Sequence, residues 1–343
     1  MTFTANIFTL FLFQQLAYVL SSGFLSVGDW GSAALGGYHQ RDANETAAAM
    51  KAYMKRSTTA ADTAAPAFVL NTGDNFYYCG IQNTSDPQIS EDYTDVFGGM
   101  GIPWYNSLGN HDYGFAPEAQ LALNATIPEW IMDGRYYHRR IGGGVGVVNI
   151  IVLDTNPCVR DYRGEDRRKW DPCGTDYPDC SPITTDPCRF HENILSQDCD
   201  EQLVWAKSIL ASIPADHSEW VFVVGHHKAD EINVADFQTT FLDDPRVHLY
   251  LNGHQHNLQH YSVNGQAKYI TTGAGGMVMF GDDRVDANQT QTHASSVKSL
   301  WSKIVTGFSS HTFNDGGTEL TTEFWNSHIN DTVSALYEFT VSK

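Results

Sequence analysis

Positive charge is what this chain has least of. Lys and Arg number 21 against 40 Asp and Glu, a net charge of −19, and a field of that sign repels nucleic acid and anionic lipid surfaces. Nucleic acid is therefore not an expected partner. An anionic substrate would need a local reversal of sign, and a bound metal is the simplest source of one. No charged residue precedes Asp29. The apolar run from Ile7 to Phe13, weakly extended by Leu16 to Leu20, is too short to cross a bilayer, so no stable membrane span is expected. It reads as a secretory signal ending at Ser21-Ser22-Gly23, with Phe24 as the mature start, although it lacks the basic residues usual at such a start. Also missing are any internal repeat and any clean linker, so residues 24–343 read as one elaborated domain. With 42% hydrophobic and 12% aromatic residues, the chain is too apolar for disorder.

No Cys-x-x-Cys pair occurs, which weighs against a thiolate zinc site. Instead Cys158, Cys173, Cys180, Cys188 and Cys199 crowd a Pro/Asp/Arg-rich stretch without hydrophobic period, the pattern of a disulfide-stapled surface insertion at about 158–199. Sequence alone leaves the pairing open. Sequons at Asn44, Asn83, Asn124, Asn288 and Asn330 fit a glycoprotein of the same oxidising route, secreted or lysosomal/vacuolar.

What the chain does have is a recurring theme of short apolar runs, each ending in a glycine beside a polar residue. Phe24 to Val27 precedes Gly28-Asp29, Ala67 to Leu70 precedes Gly73-Asp74, and Pro103 to Leu108 precedes Gly109-Asn110. Val221 to Val224 precedes Gly225-His226, and Val247 to Leu251 precedes Gly253-His254. Such runs read as buried strands that place the polar residue where the chain leaves a sheet. Helical spacing over Asp200 to Ile213, with Asp200 as the cap, and more weakly over Ala43 to Met54, implies α/β alternation and a largely parallel sheet. Gly142 to Gly144 reads as a hairpin turn, because no Lys-Ser/Thr and no helix follows as a phosphate loop requires. Gly273 to Gly276 reads as a turn, Gly307 to Asn326 as a hairpin and Val333 to Val341 as a further strand.

The strand-exit residues together carry chemistry. Asp29, Asp74, Tyr77, Asn110, His226, His254 and His256 supply carboxylates, a phenol, an amide oxygen and imidazoles, more donors than one ion needs. In Gly253-His254-Gln255-His256 the two histidines are expected to serve two adjacent cations, one each. These blocks, Gly28-Asp29, Gly73-Asp74-x-x-Tyr77, Gly109-Asn110-His111, Gly225-His226 and Gly253-His254-x-His256, resemble the ordered motifs of the purple acid phosphatases. The length and the continuation Asn257-Leu258-Gln259 are most similar to the mammalian, tartrate-resistant type. The likeness runs from about Phe24 to Gly276.

That resemblance implies a metallophosphoesterase-type β-sandwich of mixed, largely parallel sheets flanked by helices. It implies a ferric ion at Asp29, Asp74, Tyr77 and His256, and a second divalent ion, iron, zinc or manganese, at Asp74, Asn110, His226 and His254. The implied activity is acid hydrolysis of phosphate monoesters by metal-bound hydroxide, with His111 donating a proton or binding phosphate, on small phosphate esters or phosphoproteins. A monomer is expected. Asp112 either orients His111 or caps a helix. Mammalian-type members carry a further histidine near the place of Ala235, which this chain lacks; His227, next to a ligand, should point away from the centre. The alternatives are a zinc or manganese phosphodiesterase or nucleotide pyrophosphatase on the same scaffold, and a non-catalytic iron-binding or carrier protein.

Overall fold

The computed structural model describes residues 23–59, 65–142, 146–164, 172–173, 188–278, 297–327 and 335–343. Residues 1–22 of the expected signal segment, Cys180, Asn288, Asn330 and the hairpin glycines Gly143 and Gly144 lie outside the described residues.

Two seven-stranded sheets form the body. The first contains β1 (Phe24–Val27), β2 (Val69–Asn71), β3 (Trp104–Asn106) and β4 (Trp130–Ile131), with β12 (Gly307–Phe313), β13 (Glu319–Asn326) and β14 (Tyr337–Ser342) added beside β1. The second contains β5 (Tyr137–Gly142), β6 (Val147–Val152), β7 (Trp220–Val224), β8 (Leu249–Asn252), β9 (Leu258–Val263), β10 (Gln266–Thr272) and β11 (Val297–Lys303). Neighbours run parallel from β1 to β4 and across β6, β7, β8 and β10, whereas the margins are antiparallel. The parallel strands β1, β2, β7 and β8 are fully buried, as apolar runs covered on both faces should be.

The sheets pack face to face, for example Phe24 on Phe222 at 5.0 Å between ring centroids and Trp220 on Phe313 at 5.5 Å. Helices cover the outer faces. Helix α1 (Gly37–Thr59) extends well beyond the alanine-rich Ala43 to Met54 and lays Tyr53 against Phe308 and Trp325. Two short helices, α2 (Pro117–Ala122) and α3 (Phe190–Leu195), precede α4 (Cys199–Ser212), which buries Ala206 and Leu210 in one cluster with Val221, Val223 and Tyr250. The cap of α4 is Asp198 rather than Asp200: its carboxylate accepts from the backbone N–H groups of Asp200 and Glu201 at 2.9 and 3.1 Å. Helical periodicity marks the buried stripe but not which of two nearby aspartates turns back.

Disulfides Cys158–Cys199 and Cys173–Cys188 staple the cysteine-rich insertion, and Cys79 is also disulfide-bonded. Gly273 to Gly276 is not a free turn. Gly275 and Gly276 donate to the carbonyls of Gly28 and Asp29 at 2.9 and 3.0 Å, so the segment braces the exit of β1.

Candidate metal centre

The carboxyl ends of β1, β2 and β3 in one sheet and of β7 and β8 in the other open on the same edge, and the seven donors converge there. The exits are tight. Among the described residues, Asp29, Asp74 and His254 are three of the five non-glycine residues with positive φ, at 55°, 54° and 67°, a conformation that costs energy and concentrates at functional sites. Glycines make the approach possible: a Cβ on Gly109 would meet Asp74 Oδ1 at 2.1 Å, and one on Gly253 would meet Asp29 Oδ2 at 2.3 Å.

The donors divide into two groups. In the first, the Tyr77 hydroxyl lies 3.2 Å from Asp29 Oδ1, 3.1 Å from Asp74 Oδ2 and 3.1 Å from His256 Nε2, which is itself 3.2 Å from Asp29 Oδ1. In the second, Asn110 Oδ1 lies 3.1 Å from His226 Nε2 and 3.0 Å from His254 Nδ1. Asp74 Oδ2 belongs to both, being 3.3 Å from His226 Nε2. His254 and His256 therefore part company, one to each group. Five of the seven donor residues are buried; His256 and His254 are the most open.

A cation fits this arrangement. Ligands about 2.1 Å from a metal at right angles are about 3.0 Å apart, the spacing found here. Without one, a single phenol proton must serve two buried carboxylates and an imidazole, which hydrogen bonding cannot satisfy. The charge distribution agrees. Burial and the Asp29 and Asp74 carboxylates push the Tyr77 phenol well above its ordinary value. Burial also raises Asp29. Asp74, despite burial, is held well below the usual carboxylate range by His226, His111 and His254. Against its own desolvation, His226 is pushed up to about 10 by Asp74 and Asp29. Burial and the neighbouring His226 drive His254 well down. The upward shifts of Tyr77, Asp29 and His226 are the response of an anionic pocket that protons must neutralise when no cation does.

The support shell was not visible in sequence. His226 Nδ1 donates to the Thr72 carbonyl at 2.8 Å, which turns Nε2 toward the donors. His111 Nδ1 donates to the Tyr78 carbonyl at 2.7 Å, its backbone N–H donates to Asp74 Oδ1 at 2.9 Å, and its ring stands 4.5 Å from that of Tyr77. Burial lowers its pKa. Asp112 takes neither expected role: its carboxylate accepts from the backbones of Gly109, Asn75 and Phe76 at 2.8 to 3.1 Å and from Gln120 Nε2 at 2.8 Å, clamping two exit loops together. A buried amide chain continues beneath, with Asn71 Nδ2 donating to Asn75 and Asn106 at 2.6 and 2.8 Å. Its only sequence trace is an Asn or Ser near each strand end. Ala235 is buried in the apolar cluster with Phe237 and Phe241, so no imidazole occupies that place.

The family model for the calcineurin-like phosphoesterases matches residues 24–258, the stretch that holds every one of these donors. The chain belongs to the calcineurin-like phosphoesterase family. Within that family it is 30% identical over 268 residues to the tartrate-resistant acid phosphatase type 5 of Homo sapiens, covering 74% of this chain and 72% of that one. Purple acid phosphatase 7 of Arabidopsis thaliana is 29% identical over 265 residues, 74% of this chain and 70% of its own. Among solved structures, that entitled GAP50, the anchor in the inner membrane complex of Plasmodium, shares the fold at TM-score 0.61 and 20% identity, covering 94% of this chain and 88% of that one. The purple acid phosphatase of yellow lupin seeds shares it at TM-score 0.54 and 12% identity, covering 94% and 53%. The two mixed sheets flanked by helices are thus the calcineurin-like phosphoesterase architecture, and no described helix is long and apolar enough to cross a membrane.

Proposed function

We propose that the chain is a binuclear metal-dependent acid phosphatase that hydrolyses phosphate monoesters. One observation carries the reading: two groups of donors at coordination-edge spacing share a single carboxylate oxygen, Asp74 Oδ2. Asp29, Tyr77 and His256 would hold a ferric ion, Asn110, His226 and His254 a divalent one, with Asp74 between them. The bound pair would supply a Lewis acid and a water nucleophile of lowered pKa, which persists at acid pH. The centre would be about +1 in a protein of net charge −19, so phosphate would be drawn to it alone.

The chain's own residues do the rest. Tyr77 and Asp29 would neutralise most of the first ion's charge. His111, fixed by the Tyr78 carbonyl beside the donor Asn110, would bind a phosphoryl oxygen or protonate the leaving alkoxide from Nε2. The disulfides support an oxidising compartment, and Asn44, Asn83 and Asn124 are exposed and open to glycosylation, so a secreted or lysosomal/vacuolar monomer of one domain over 24–343 is the corresponding proposal.

Elemental analysis, a visible spectrum and turnover of 4-nitrophenyl phosphate against its bis-ester test the whole reading. Iron, violet colour and monoester preference support it. Colourless zinc or manganese protein that prefers the diester would favour the phosphodiesterase, and colour without turnover would favour an iron carrier. Asp74→Ala and His254→Ala should abolish turnover.

A further inference from the structure

His227 directly follows the donor His226, and its nitrogens do turn from the centre, yet its ring does not leave it. The ring lies 4.5 Å from that of His254 and 4.9 Å from that of His226, and the residue is 1% exposed. Nδ1 is 2.8 Å from Thr155 Oγ1, and Nε2 is 2.9 Å from the Tyr162 hydroxyl. Thr155 fixes the tautomer. Its oxygen already accepts the backbone N–H groups of His226 and His227, each at 3.1 Å, which occupies both lone pairs. Only its own hydrogen remains, so Thr155 donates to His227 Nδ1. His227 must then carry its proton on Nε2 and donate to Tyr162.

Two consequences follow from that assignment. His227 has no lone pair left for a cation, although it sits close enough to His226 and His254 to be counted with them as a third ligand. Its ring is also uncharged, in keeping with burial and the two neighbouring imidazoles, which hold it well below the ordinary histidine range. What it can do is transmit position. Tyr162 stands on the short helix Arg160–Arg163 inside the cysteine-rich insertion, its ring 5.1 Å from that of Phe190, and the Cys158–Cys199 bridge closes the segment.

We propose that Tyr162 and His227 are positioning residues through which the cysteine-rich insertion sets the affinity of the His226/His254/Asn110 half of the site for its divalent ion. The line of contact runs from the Tyr162 oxygen to His227, from His227 to Thr155, and from Thr155 to the backbone of His226. It does not pass through Asp29, Tyr77 or His256. Removing the Tyr162 oxygen leaves the His227 Nε2–H buried without its acceptor, so the ring must tilt or change tautomer. Either response moves the surface against His254 and breaks the bond that pins Thr155.

The inference rests on the metal-centre reading, and one experiment separates the two. Full-length protein holding its first metal is freed of divalent ion with a chelator and titrated with zinc by calorimetry, as wild type, Tyr162→Phe and His227→Phe. Both variants keep an aromatic ring in place. Occupancy of the Tyr77 half is followed by its visible band or by elemental analysis. Zinc affinity should fall ~10–100-fold in both variants, the usual cost of losing an outer-shell partner, with the Tyr77 half unchanged. Wild-type affinity in Tyr162→Phe overturns the inference, and so does joint loss of both metals, which would mean that the segment only supports the fold. A wild type that takes up no metal at all removes the metal-centre reading and this inference with it.

Discussion

The Tyr77 phenol oxygen lies 3.1 Å from Asp74 Oδ2, both enclosed, and burial together with the Asp29 and Asp74 carboxylates holds the phenol in its protonated form. A trivalent cation between the two oxygens would reverse that preference, turning a hydrogen bond into two metal bonds. Tyr77→Phe should therefore remove the violet absorption altogether while leaving the fold intact, because the phenol oxygen and not the ring makes these contacts. A visible spectrum at matched iron content decides it; retained colour would assign the band elsewhere.

Metal uptake should release protons. In the cation-free site His226 is pushed up to about 10, against its own burial, by Asp74 and Asp29. It is therefore protonated at pH 7 and must lose that proton to serve as a ligand. The sign is that divalent-ion affinity rises with pH, by about tenfold per unit between pH 7 and 9 for one displaced proton. Calorimetry in buffers of different ionisation enthalpy measures the released proton directly.

His111→Ala should lower kcat for alkyl phosphates by ~10²–10⁴-fold, the range for loss of a proton donor. Aryl phosphates, whose leaving groups need no proton, should lose much less. Equal losses for both esters would assign His111 to phosphate binding instead.

Asp92 carries a separate pH dependence. Burial raises its carboxyl to about 8, only partly offset by backbone N–H groups of Ala34 and Ala33, and Ala34 N donates to its Oδ1 at 2.7 Å. The unfolded chain ionises this acid near the ordinary value of 3.8, whereas the folded chain keeps it protonated. Its contribution is thus fully favourable below pH 4 and is lost progressively as pH rises toward 8. Asp92→Asn keeps the acceptor oxygen and cannot ionise. It should raise Tm by about 5 °C at pH 8 and leave it nearly unchanged at pH 4; a melting series across that interval is the check.

The Cys158–Cys199 bridge spans 41 residues, and a crosslink of that length restricts the unfolded chain by about 4 kcal/mol. Replacing both cysteines by serine should lower unfolding stability by about that amount. Denaturant unfolding of the double variant against wild type measures it.

Much of the site was legible because it lies where strands stop. An apolar run followed by glycine and a polar residue is a local pattern, and it located Asp29, Asp74, Asn110, His226 and His254 at strand exits without any knowledge of which strands pair. Strands β9, β10 and β11 were harder to see. Their sequences mix Gln, His, Lys and Ser with the apolar residues, and they become strands by pairing with one another and with β8 rather than by pattern.

Composition, motif order and donor chemistry were settled by the chain itself: an acidic protein, short buried strands, and hard oxygen and imidazole ligands in a fixed succession. Tertiary structure alone decided which donor joins which group, because Asp29 and His254 are 225 positions apart and meet only when two sheets share an edge. It likewise decided that Asp112 clamps loops instead of orienting His111, and that His227 packs on the donors through Thr155 and Tyr162. Hydrogen bonds of that kind depend on angles and distances set by packing far along the chain, and no local run of residues encodes them.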